Sequence, residues 1–137
     1  MKLATTSAYD PNHETETFGD LDETHALAKF DEFPWSDLAR QTRDIELKEE
    51  DCVDADLTFL IDKCHFTARV KDNAMSFDVE VCVRLAKKLL GIFDRPKFYA
   101  FDGLPTKETR EALRVFLAKS DEDQHAYFQN LTDQCRK

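Results

Sequence analysis

In two runs, Phe66 to Val70 and Phe77 to Val83, apolar and polar residues alternate with a period of two, and that spacing demands a sheet with one buried and one wet face. Phe66, Ala68 and Val70 alternate with His65, Thr67, Arg69 and Lys71. Phe77, Val79, Val81 and Val83 alternate with Asp78, Glu80, Cys82 and Arg84. Upstream, Leu57, Phe59 and Ile61 form a third apolar row, and Leu60 makes that segment apolar on both sides. Lys97 to Phe101 reads as a further strand, ended by Asp102-Gly103. The Asp62-Lys63 junction and the 72–76 loop are short enough for hairpins, so neighbouring strands run antiparallel. Arg69 and Lys71 then face Asp78 and Glu80 across a strand pair. Residues 85–93 fit either a short helix or a strand broken at Gly91.

Helical spacing flanks this block on both sides. Asp20 followed by Glu23 has the form of a helix start, and Leu27, Phe30 and Phe33 recur at three-residue steps before Pro34. A second helix starts near Pro34 or Ser36, with Trp35, Leu38, Thr42 and Ile45 on one face. After the strands, a helix from Pro105 turns Leu113, Phe116 and Leu117 inward. Another, opened by Ser120 and Asp123, buries Tyr127, Phe128 and Leu131. Strands grouped together with helices at either end define an α+β fold. The expectation is an antiparallel meander of about four strands, with helices before and after it packed on one face. Residues 1–19 are polar and rich in turn formers, and read as a flexible leader to a single domain spanning 20–137.

The charge is uneven. Residues 1–56 hold 16 acidic and 5 basic side chains, a net of −11, whereas residues 57–137 hold 12 and 14, a net of +2. An acidic N-terminal half repels nucleic acid and anionic lipid and favours a basic protein partner. Residues 1–20 contain no apolar run and no later segment is long enough to span a bilayer, so the chain is expected in the cytoplasm. Reducing conditions there leave Cys52, Cys64, Cys82 and Cys135 as free thiols.

The residues offer little chemistry. Cys64 and His65 are adjacent on a strand and point to opposite faces, so the histidine is a poor base for its neighbour. Cys52, Cys64 and Cys82 lie 12 and 18 residues apart, without the short ligand pairs of a zinc module. Three glycines leave no room for a phosphate loop or a dinucleotide fingerprint, and no basic–aromatic stripe suits nucleic acid. His13, His25 and His125 are isolated among polar residues, with Asp22 in reach of His25 on the first helix. Neither catalytic residues nor a metal or cofactor is expected.

One run remains. Asp44, Glu46, Glu49, Glu50, Asp51, Asp54 and Asp56 are seven acids in thirteen residues, opposed by Lys48 alone. Such a run either simply faces water or docks a basic site on another protein. A small acidic α+β chain without a catalytic constellation resembles the immunity proteins that protect bacteria from nuclease toxins. The resemblance is one of format over roughly residues 20–134, and carries over no residue roles. It implies an inhibitor that covers a basic active site with carboxylates. Secretion chaperones share the small, acidic α+β format, and a small enzyme using Cys64 or His65 is a third class.

Overall fold

A computed structural model describes residues 3–9, 15–47, 55–70, 76–85 and 95–135. Strands β1 (Ala4–Tyr9) and β2 (Thr15–Leu21) come first, then helices α1 (Glu23–Glu32) and α2 (Trp35–Leu47). Strands β3 (Asp56–Ile61), β4 (Cys64–Val70), β5 (Ser76–Leu85) and β6 (Arg95–Pro105) follow, and helices α3 (Thr106–Ala118) and α4 (Asp121–Cys135) close the order. All six strands join one antiparallel sheet in the order β2-β1-β3-β4-β5-β6.

The period-two pattern decides which face is covered. Leu57, Phe59, Phe66, Ala68, Phe77, Val79, Val81, Val83, Tyr99 and Phe101 are buried on one side. Helices from both ends of the chain pack there. Phe30 of α1 and Trp35 of α2 set their rings 5.5 and 4.9 Å from that of Phe77. Phe116 of α3 meets Phe66 at 5.8 Å, and Phe128 of α4 meets Tyr99 and Phe101 at 5.8 and 6.4 Å. Each fully buried phenylalanine contributes about 1.5–3 kcal/mol of transfer free energy, so these contacts bind two layers into one core. The opposite sheet face carries no helix among the described residues.

Several expectations need correction. The sheet has six strands, because residues 4–9 and 15–21 form a hairpin and not a flexible leader. The covered side of β1 is Ala4, Thr6 and Ala8, too small and too polar to register as a hydrophobic stripe. Thr6 satisfies its buried hydroxyl by donating to the Ala4 carbonyl. Nor does Asp102-Gly103 end β6, which runs on to Pro105. The register shifts there, Gly103 takes φ +68°, and its N–H donates to Asp78 Oδ1 at 3.1 Å. A left-handed glycine of this kind lets a strand absorb an extra residue without breaking its ladder.

Helix starts follow local chemistry. The cap of α1 is Asp22, not Asp20; its Oδ1 accepts from the His25 backbone N–H at 2.9 Å and meets His25 Nδ1 at 2.7 Å. Those bonds hold the Asp22 carboxyl below its ordinary range, the backbone N–H being the larger cause. Ser120 Oγ accepts from the Asp123 N–H at 3.4 Å where α4 begins. Leu85 closes β5, while residues 86–94 lie outside the described residues.

Candidate functional site

The uncovered sheet face is organised by register into rows about 6.6–6.8 Å apart, since every second residue of a strand points outward. The first row runs Asp20, Thr5, Leu60, His65, Cys82 and Phe98 across all six strands. The second runs Thr17, Ser7, Thr58, Thr67, Glu80 and Ala100. The third runs Thr15, Tyr9, Asp56, Arg69 and Asp78.

These rows differ in chemistry. The first is apolar at its centre and far end, with Leu60 42% and Phe98 66% exposed. Leu3, one step before β1, adds a side chain that is 50% exposed. The second is built on hydroxyls, with Thr58 Oγ1 and Thr67 Oγ1 sharing a hydrogen bond at 3.0 Å. The third is charged. On the three rows together, Asp20, Asp56, Asp78 and Glu80 stand against one cation, Arg69.

Cys82 belongs to this outward face and yet is only 4% exposed. His65 and Phe98, its row neighbours on β4 and β6, bring their rings to 6.3 Å and cover it. Burial pushes the Cys82 thiol up, with the nearby Cys64 adding to the shift. A hollow of about 300 Å³ lies here, lined in part by Lys63, Cys64, His65 and Phe98. A thiol pushed up in this way is a weaker nucleophile near neutral pH than a free one. Cys64 itself packs partly buried against the covered core. Among the described residues no group of three or more His, Cys, Asp or Glu side chains is placed to hold a metal ion.

The seven acids read from the sequence fall in different settings. Asp44 is exposed on α2, and Glu46 lies in the last turn of that helix. Glu49, Glu50, Asp51 and Asp54 lie outside the described residues. Asp56 opens β3 on the uncovered face, half-buried, directly across from Arg69. Among the described members, only Asp56 thus joins the row pattern of the sheet. The sequence holds a signal for part of that pattern: Leu60 is an apolar residue on the side of β3 that Asp56 and Thr58 make polar.

No helix among the described residues is long and apolar enough to cross a membrane. No protein-family model, no curated protein and no solved structure matches the chain.

Proposed function

We propose that the protein is a non-enzymatic, cytoplasmic binding module that neutralises a basic partner, such as a nuclease toxin domain, through the uncovered face of its sheet. The observation that carries this reading is the grouping, on three neighbouring rows of one face, of exposed Leu60 and Phe98 with Asp20, Asp56, Asp78 and Glu80, where Arg69 is the cation of those rows. Desolvated apolar anchors supply affinity in protein interfaces, and surrounding charge supplies encounter rate and partner choice. A surplus of carboxylates selects a partner rich in lysine and arginine and works against nucleic acid. Acids of the 44–56 run, Asp44 and Asp56 among them, extend the same field. The format resemblance to toxin-immunity proteins points the same way.

A secretion chaperone is the second reading, favoured by the exposed apolar residues Leu3, Leu60 and Phe98. A chaperone holds unfolded apolar segments, and its binding is insensitive to salt, whereas neutralisation of a basic folded partner weakens as salt rises. The test uses the purified chain as bait in lysate of its native host, beside a Glu80→Lys/Phe98→Ser variant altered only on the sheet face. Retention of a basic protein by the parent and its loss by the variant is the expected result. Retention of the same protein by both sinks the sheet-face reading.

A further inference from the structure

A second cleft lies on the other side of the sheet's N-terminal end, between the β1–β2 hairpin and the α1–α2 turn. It encloses about 570 Å³. Phe18 and Phe33 form its aromatic walls, with ring centroids 6.4 Å apart and planes at 85°. Trp35 backs Phe33 at 4.6 Å. Glu16 and Glu32, both exposed, supply carboxylates at the rim. Lys29 reaches in from α1 and places its Nζ 4.1 Å from the centroid of the Phe18 ring.

The backbone is shaped to present that ring. Thr6 pairs with Gly19 and Ser7 with Thr17, so Phe18 is the extra residue of a bulge. Gly19 beside it takes φ +84°, a conformation that other residues adopt only with strain. A bulge of this kind turns a side chain away from the regular alternation. Here it turns Phe18 from the ladder towards Phe33 and under Lys29.

We propose that this cleft binds an arginine side chain of a partner protein, the guanidinium taking the place of the Lys29 ammonium over Phe18. Aromatic faces attract cations, and the contact with Lys29 shows that this ring face accommodates one. Arginine suits the cleft better than lysine, because a planar guanidinium stacks on a ring while its edges bond carboxylates such as Glu16 and Glu32. Lys29 is then an internal competitor that keeps the aromatic walls covered until a partner arrives. The inference rests on the basic-partner reading for the source of the arginine, but it concerns a different surface from the Leu60–Phe98 row.

The test needs no partner. The folded chain is titrated with N-acetyl-arginine amide while the ring signals of Phe18, Phe33 and Trp35 are followed by NMR, with N-acetyl-leucine amide as the uncharged control. Saturable shifts at those rings are expected with the arginine probe alone. Lys29→Gln should tighten binding about two- to fivefold, the scale of one exposed cation–ring contact. Lys107→Gln, which removes the same charge from α3, should leave it unchanged. Phe18→Leu should abolish the response. Glu16→Gln/Glu32→Gln, at two exposed sites, should weaken it and guards against a folding defect in the phenylalanine variant. Linear, unsaturable shifts, or equal effects of Lys29→Gln and Lys107→Gln, overturn the proposal. Because the probe is a small molecule, such a failure leaves the sheet-face reading to its own test.

Discussion

Asp56 lies directly across the β3–β4 ladder from Arg69, and its carboxyl is nonetheless held above the usual range. Burial is the larger cause, and the neighbouring guanidinium offsets it only in part. Asp78 faces Arg69 from β5, so Arg69 stands in register between two carboxylates.

The sign of the linkage follows. A carboxyl whose folded pKa is raised favours the native state at low pH, below its unfolded value, and loses that contribution as pH rises through the folded value. Asp56→Asn should therefore melt at or above the parent temperature at about pH 7, where the parent carries the buried charge. The gap should close as pH falls through the folded pKa towards the ordinary value of 3.8. Thermal melts of both proteins across that range are the measurement. A variant much less stable than the parent at neutral pH would show that the Arg69 pairing outweighs burial.

Val79→Asp and Glu80→Ala should part sharply. Val79 is 1% exposed beneath the helices, while Glu80 points to solvent on the next residue. A buried unpaired charge costs about 3 kcal/mol or more, whereas an exposed truncation usually stays within about 0.5 kcal/mol. Denaturant midpoints distinguish the two, and similar midpoints would contradict the register.

The same pair of residues marks where the sheet is written plainly in the sequence. In the runs Phe66 to Val70 and Phe77 to Val83 apolar side chains alternate with polar ones, so the strands and their buried face are legible from the residues alone, and Arg69 does face Asp78 as that reading expects; Glu80, expected beside a cation, faces Thr67 instead. The hairpin of β1 and β2 is not. Its buried side is Ala4, Thr6 and Ala8, which carry the right period but almost no hydrophobic amplitude. The acidic surplus is legible as composition, but its placement is not, because the rows of the open face depend on register between strands far apart in sequence. Thr5 meets Leu60, and no local pattern announces that pairing. The Phe18 cleft is hidden for a related reason: a bulge breaks the alternation that sequence reading depends on.

Thiol reactivity should follow exposure. Unfolding the natively purified protein should release four titratable thiols. In the folded state Cys135 is exposed, whereas Cys82 is shielded by His65 and Phe98 and its thiol is pushed up. Iodoacetamide at neutral pH should therefore modify Cys135 well before Cys82. Mass spectrometry of partly alkylated protein reads the order. Rapid, selective modification of Cys64 or Cys82 would instead favour the small-enzyme class.

Association with a basic partner should slow as salt rises, because screening shortens the reach of charge from about 10 Å at 0.1 M to about 3 Å at 1 M. Reversing Glu49, Glu50 and Asp51 to lysine should lower the on-rate with little change in melting temperature. Phe98→Ser should act mainly on the off-rate, as the loss of a packed anchor does. Binding kinetics at two salt concentrations separate the effects. An on-rate indifferent to salt would remove charge steering from the account.

The hairpin has a practical meaning for anyone who trims this chain. β1 lies between β2 and β3, so residues 4–9 complete the hydrogen bonding of β3 on that side. Removing the first 21 residues as a dispensable tail would leave β3 as a raw sheet edge, with the fully buried Leu57 and Phe59 at its margin. The far edge is blunted by Pro96, Lys97 and the kink at Gly103; β3 has no such guard. A truncated chain would therefore recruit strands from its own copies, and its clumping would reflect a missing hairpin rather than a faulty core.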